Sequence, residues 1–228
     1  MDKNQIQSSN KAILYEMFAS FFLQTFTKET LEVLPSMLEE TSEILPMIDF
    51  KSLAQPIKEL KDFQQEYYDH FFIPSNKNYI PPYESAVVDA CIKTGDKKMK
   101  WKYGSLWTNS TYHVSMCYES VGFNPWELKI EEGLKASKVP DHIGFELAFM
   151  AYLCIKEASY EEITLEDKTE EDIENADKWN KLQKQFLREH LQKFVSSYYK
   201  IAKEKFNPFY LQILNILNNY IEWDLTTK

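Results

Sequence analysis

Val139-Pro140-Asp141-His142-Ile143-Gly144-Phe145-Glu146-Leu147-Ala148-Phe149-Met150-Ala151-Tyr152-Leu153-Cys154 is a nearly continuous apolar run entered through a proline and two ionisable side chains. Pro140 fixes φ and has no N–H to donate, so it suits a helix entrance and not an interior. A carboxylate at Asp141 is placed to accept orphan N–H groups of the first turn and to complement the positive end of the helix dipole. From Ile143 onward, Ile143, Leu147, Met150 and Cys154 recur at helical spacing, while Phe145, Phe149 and Tyr152 cover much of the remaining circumference. A helix that is apolar on most sides is packed on most sides. The run therefore predicts a central helix, with Asp141 and His142 at its mouth as the first place to look for function.

The helical period recurs on both sides of this run. Ser9 or Asn10 is placed to cap a helix carrying Ile13, Leu14, Met17, Phe18, Phe21 and Phe22. Thr27, with Thr30 three residues on, is placed to cap a second helix carrying Leu31, Leu34 and Leu38, which Pro35 is expected to kink or divide. A third is expected over about residues 52–72, on Leu53, Ile57, Leu60, Phe63, Tyr67 and Phe71. Pro74, Ser75, Asn76, Asn78, Pro81 and Pro82 then interrupt regular structure, and Thr94-Gly95-Asp96-Lys97 reads as a turn within a short hairpin. Helicity resumes over residues 105–121 on Leu106, Tyr112 and Met116, and Gly122 suits the left-handed position just past its end.

Beyond the central helix, residues 156–177 are rich in Glu and Asp and predict a mobile connection containing a solvated helix start. Trp179, Leu182, Phe186, Leu187, Leu191, Phe194, Val195 and Tyr198 mark a long amphipathic helix. Asn207-Pro208 ends it, and Leu211, Leu214, Ile216, Leu217 and Ile221 mark the last one. No internal repeat and no sustained heptad is present. The expectation is one all-α domain over residues 1–228, a bundle of about nine to eleven helices.

Composition agrees and excludes several classes. With 228 residues, 44% of them hydrophobic and 15% aromatic, the chain is able to bury a substantial core, and only 5 Gly and 9 Pro weigh against a strand-and-turn architecture. A net charge of −9 weighs against nucleic acid as a partner and suits a basic one. Cys91, Cys117 and Cys154 form no C-x-x-C pair, so neither a disulfide scaffold nor a zinc ribbon is expected. The uncharged run from Met17 to Thr27 is too short to span a bilayer, and no signal peptide is evident. A cytoplasmic protein that is not integral to a membrane is expected.

Local chemistry offers less. Asp141 and His142 are sequence neighbours, which is not how a catalytic carboxylate orients a histidine, and no G-x-S-x-G elbow is present. None of His70, His113, His142 and His190 follows an acidic residue at the spacing of carboxylate-bridged metal bundles. His113 and Cys117 share a helix face, as do His142 and Glu146, but two ligands do not make a metal site. The five glycines form no dinucleotide or phosphate loop, so no cofactor is expected. What remains is a binding surface, marked by the aromatic break Tyr79-Ile80-Pro81-Pro82-Tyr83 and by Pro140-Asp141-His142.

Phe71-Phe72, then Pro81-Pro82-Tyr83-Glu84-Ser85, then Pro140-Asp141-His142-Ile143-Gly144-Phe145-Glu146-Leu147-Ala148-Phe149-Met150, then Phe186-Leu187-Arg188-Glu189-His190-Leu191 continuing through Phe209-Tyr210, resemble in order the blocks of the TorD/DmsD/NarJ family. The resemblance implies an all-helical cytoplasmic chaperone dedicated to a molybdenum- or tungsten-cofactor oxidoreductase. Such a chaperone binds the catalytic subunit and its signal peptide, often of twin-arginine type, and holds the apo-enzyme until its cofactor is inserted. By the same resemblance, client binding falls to Tyr83 and Ser85 in the earlier block and to Asp141 and His142 in the later one. Phe72, Glu84 and Glu146 beside them are expected to join in client binding, and Asp141 is expected to meet a signal-peptide arginine. Lys138-Val139 stands where the family's fuller motif has Glu-Pro. The Val-Pro-Asp-His form resembles the nitrate-reductase branch, and Gly144-Phe145-Glu146-Leu147 the TorD and DmsD branch. The competing readings are a small all-α enzyme using Asp141 and His142 as an acid–base pair, and an unrelated helical adaptor.

Overall fold

The structure is a computed structural model, and it describes residues 7–46, 48–50, 53, 59–93, 100–163 and 167–227. Its first half holds α1 (Ser8–Leu23), α2 (Lys28–Ile44), α3 (Leu60–Phe71), the short α4 (Glu84–Val87) and an antiparallel pair, β1 (Cys91–Lys93) with β2 (Lys100–Lys102). The second half holds α5 (Asn109–Val121), α6 (Glu132–Ser137), α7 (Ile143–Glu161), α8 (Glu170–Phe186), α9 (Gln192–Lys205) and α10 (Pro208–Thr226). Among the described residues the regular structure is all helical apart from that hairpin. Among the described residues no helix is long and apolar enough to cross a membrane.

The central helix is α7, as its sequence demands. Its most extensive partner is α1, followed by α8, and Ile143, Phe145, Leu147, Met150, Leu153 and Cys154 have no exposed surface at all. The approach of α1 depends on Gly144, where a Cβ would lie 2.6 Å from Leu23 Cδ2. Over residues 143–155 only a strip at Ala148, Tyr152 and Ile155 reaches the surface, and the last turns of α7 add Lys156, Ser159, Tyr160 and Glu161. Buried ions tie the ends of the chain to this core. Asp224 of α10 accepts from Lys11 Nζ at 2.6 Å and Tyr15 Oη at 2.7 Å, and Lys184 of α8 also reaches it. Burial alone would raise the Asp224 carboxyl, but the two lysines outweigh it and hold the group below its usual range. Glu157 of α7 accepts from Ser8, Asn180 and Gln183, joining α1, α7 and α8.

Several boundaries follow their residues closely. Thr27 Oγ1 accepts from Thr30 N at 3.2 Å while Thr30 Oγ1 accepts from Thr27 N at 2.7 Å, a reciprocal cap. Gly122 is left-handed with φ 73°, and Asn207 precedes α10 at Pro208. Others differ from expectation. α2 runs unbroken through Pro35, held by the buried stripe Leu34, Leu38 and Thr41. α3 starts at Leu60 after an extended Glu59, not near residue 52; residues 51–52 and 54–58 lie outside the described residues. α5 starts at Asn109 and not at 105, because Trp107 has a positive φ of 61° that no right-handed helix admits. The turn expected at 94–97 also lies outside the described residues, though the strands flanking it pair. The acidic stretch 156–177 belongs to α7 as far as Glu161 and to α8 from Glu170. The expected long amphipathic helix is α8 and α9 joined through a π-helical turn, Leu187–Leu191.

Candidate functional site

The mouth of α7 is not an opening. Asp141, His142 and Glu146 have no exposed surface, and Glu84 and Ser85 are also buried. Backbone pairing brings the two blocks together: Tyr83 and His142 form an antiparallel bridge, Ile143 N donates to Pro82 O at 2.9 Å, and Glu84 N donates to Asp141 O at 2.9 Å. Asp141 was expected to cap its own helix. It instead serves α4 and α5, with Oδ2 accepting from Ser85 N at 2.8 Å and from Thr111 Oγ1 at 3.1 Å. His142 takes the capping role on α7, its Nδ1 accepting from Gly144 N at 3.1 Å. With Nδ1 used as an acceptor, the ring proton sits on Nε2. Burial pushes this histidine down to about 3, so the ring is neutral.

Three carboxyls crowd this junction. Burial, and then the nearby Glu84 and Asp141, push Glu146 well above the usual carboxylate range, and among the described residues neither of its oxygens has a hydrogen-bond partner. Burial likewise raises Asp141, against the opposing pull of its bonds from Ser85 and Thr111. The third, Glu84, reaches the π-turn: its Oε2 lies 2.8 Å from His190 Nδ1. His190 Nε2 in turn lies 2.8 Å from His113 Nδ1 on α5. Burial alone would lower His190, but the neighbouring Cys117 and Glu84 outweigh it and hold the ring at about 9. The imidazolium donates to Glu84 from one nitrogen and to His113 from the other.

Three contacts tie this junction to α5. Thr111 meets Asp141, His113 meets His190, and Tyr118 Oη donates to Pro140 O at 3.3 Å. The inner face of α5 is thus partly polar, with Thr111, Val114 and Tyr118 buried. The outer face sets large apolar side chains among the polar Asn109, His113, Glu119 and Ser120. Met116 is 64% exposed, Tyr112 57% and Trp107, just before the helix, 48%. Tyr112 and Met116 are among the residues whose spacing predicts the helix, and they face outward. A cavity of about 470 Å³ lies on one side of this face, lined by Trp107, Glu119, Phe123 and Trp126. A second, about 260 Å³, lies on the other, lined by Met116, Phe149, Leu153, Phe186 and Glu189.

The profile of the nitrate reductase delta subunit family matches residues 28–199, about three quarters of the chain and all four of the blocks up to His190. This chain belongs to the nitrate reductase delta subunit family. That is a family of redox enzyme maturation chaperones, and membership points to the maturation of a molybdoenzyme and to a molybdoenzyme subunit as partner. No curated protein and no solved structure matches the chain. For this delta-family member, Glu84, Ser85, Asp141, His142 and Glu146 come together in one buried junction. Phe72 and Tyr83 remain half-buried at the surface, beside α6. A Cβ on Gly133 would lie 2.8 Å from Phe72 Cε1, and the Tyr83 ring stands edge-on to His142 at 5.5 Å. Sequence reasoning missed Thr111, Tyr118 and His190 as partners of this junction. His190 lay inside a quoted block, but nothing local says that a π-turn aims it at Glu84.

Proposed function

We propose that this delta-family chaperone holds the signal segment of a molybdenum- or tungsten-cofactor oxidoreductase subunit against the outer face of α5, in the cytoplasm and before cofactor insertion and export. The observation that carries this reading is the exposure of Tyr112 and Met116 on α5, beside exposed Trp107, over an inner face whose Thr111 and Tyr118 are hydrogen-bonded to the family blocks. Exposed aromatic and methionine side chains arranged on one helix face are an interaction surface more often than a solvated one. Trp107 strengthens the case, because a bulky residue at φ 61° carries backbone strain of about 1 kcal/mol or more with only half its side chain buried.

The chemistry matches a signal of twin-arginine type. Its apolar run suits Trp107, Tyr112 and Met116, and its basic end suits Glu119 and Glu189, which line the two flanking cavities. The net charge of −9 favours encounter with a basic segment. In this reading Phe72 and Tyr83 add a second aromatic contact beside α6. Glu84, Ser85, Asp141, His142 and Glu146 act from beneath, by setting where α5 stands. The acid–base enzyme reading has less support, since Asp141 Oδ2 is taken by Ser85 and Thr111 and His142 Nδ1 by Gly144.

Calorimetric titration with a synthetic peptide carrying two consecutive arginines and an apolar run tests the proposal. Binding is expected at roughly micromolar Kd, since ordering a flexible segment consumes about 2–5 kcal/mol of the interaction. Trp107→Ser with Met116→Ser should weaken it by about tenfold or more. Absence of binding to the parent protein, or equal binding by the variant, overturns this reading.

A further inference from the structure

We propose that His113, Cys117 and His190 form a zinc site that clips α5 to the π-turn. His113 and Cys117 are one helical turn apart on α5, and His190 comes to them from a segment more than seventy residues away. Their donor atoms all lie within 4.8 Å of one another. Zinc bound tetrahedrally at about 2.0–2.1 Å from nitrogen and about 2.3 Å from sulfur sets neighbouring ligand atoms roughly 3.3–3.6 Å apart. The His113 Nδ1 to His190 Nε2 distance of 2.8 Å needs to open by about 0.5 Å to reach that spacing. His113 is exposed and free to make that adjustment.

The surroundings point to a metal more than the ligand count does. His190 Nδ1 is 2.8 Å from the buried Glu84 carboxylate. A carboxylate on the far nitrogen of a ligating histidine fixes the ring and the tautomer that offers the other nitrogen to a metal. In this arrangement Nε2 faces His113 and Cys117. A π-helical turn supplies the unusual backbone that aims it. Two imidazoles and one thiolate favour zinc over magnesium or calcium, which prefer oxygen donors. On binding, zinc replaces the proton between the two rings and the thiol proton of Cys117, and both protons pass to solvent. The fourth position opens toward the cavity of about 260 Å³ that His113 and Cys117 help to line, leaving it to water.

Cobalt(II) is a spectroscopic stand-in for zinc and reports a thiolate ligand by a near-ultraviolet charge-transfer band. Titrating the full-length protein with cobalt, then displacing it with zinc, should give that band at one equivalent, together with a raised melting temperature. Cys117→Ser should abolish the band, and His113→Gln should weaken zinc binding by at least tenfold. Both side chains lie at or near the surface, so both variants are expected to fold, and circular dichroism checks this. A parent protein without the band, or zinc affinity unchanged in both variants, overturns the assignment.

Discussion

α7 and α5 lie on either side of the buried junction, and they differ in how much of their apolar surface they bury. In α7 the apolar residues are inside: Leu147, Met150 and Leu153 have no exposed surface. In α5 two large apolar side chains, Tyr112 and Met116, are exposed, while Val114 is buried and Thr111 and Tyr118 turn inward to meet Asp141 and Pro140. Burial of apolar area drives folding, so α7 marks where stability resides. A helix that bonds its inner face to the junction and leaves Tyr112 and Met116 in water fits the docking role proposed for α5. On the proposed reading, α7 holds the chaperone together and α5 meets the client.

The contrast is broken most severely from the α7 side. Leu147→Asp places an unpaired charge at a site with no exposure and should cost on the order of 4–5 kcal/mol or unfold the chain. A melting temperature within a degree or two of the parent would contradict the central role of α7. Asp141→Ala is expected to be next in size. It leaves Ser85 N–H and the Thr111 hydroxyl without their acceptor and should cost roughly 2–4 kcal/mol. Hydrogen exchange should quicken in α4 and α5 before α1 and α7, and a uniform increase would show that the junction does not position α5.

Glu146→Gln gives a smaller effect of opposite sign. The folded-state carboxyl lies above its ordinary value of 4.5. Its contribution to stability is therefore present below that value and is lost as pH rises through the folded-state value. Glutamine removes the titration, so the variant should match the parent near pH 4 and exceed it by on the order of 1–3 kcal/mol near pH 8. His142 titrates in the reverse sense, its stabilisation present above its ordinary 6.5 and lost as pH falls toward about 3. Denaturant midpoints across pH check this; a constant difference between Glu146→Gln and parent would rule out the buried carboxyl as its origin.

Much of the frame was legible in the residues. The apolar run 143–154, the Thr27–Thr30 cap, Gly122 and Asn207-Pro208 each encode local geometry, and each appears in the structure. Helical period alone could not tell the inner from the outer face of α5. Tyr112 and Met116 fit a stripe, and only the tertiary partners of Thr111 and Tyr118 decide which stripe turns inward. The site was legible as a set of blocks but not as an arrangement. Pro140-Asp141-His142 reads as a helix mouth; that Asp141 reaches past its own helix to Ser85 depends on a backbone bridge between residues 83 and 142. The π-turn that carries His190 to Glu84 has no local sequence signal.

The division between junction and face is tested most directly by titrating the arginine-bearing signal peptide into two variants. Asp141→Asn keeps an oxygen for Ser85 and Thr111 while removing the charge. Tyr112→Ser with Met116→Ser leaves the junction intact and strips the outer face of α5. The expected result is that Asp141→Asn binds within about twofold of the parent, while the face variant loses about tenfold or more, roughly 1.4 kcal/mol, at an unchanged melting temperature. Lost binding in Asp141→Asn at an unchanged melting temperature, with the face variant binding normally, would contradict it.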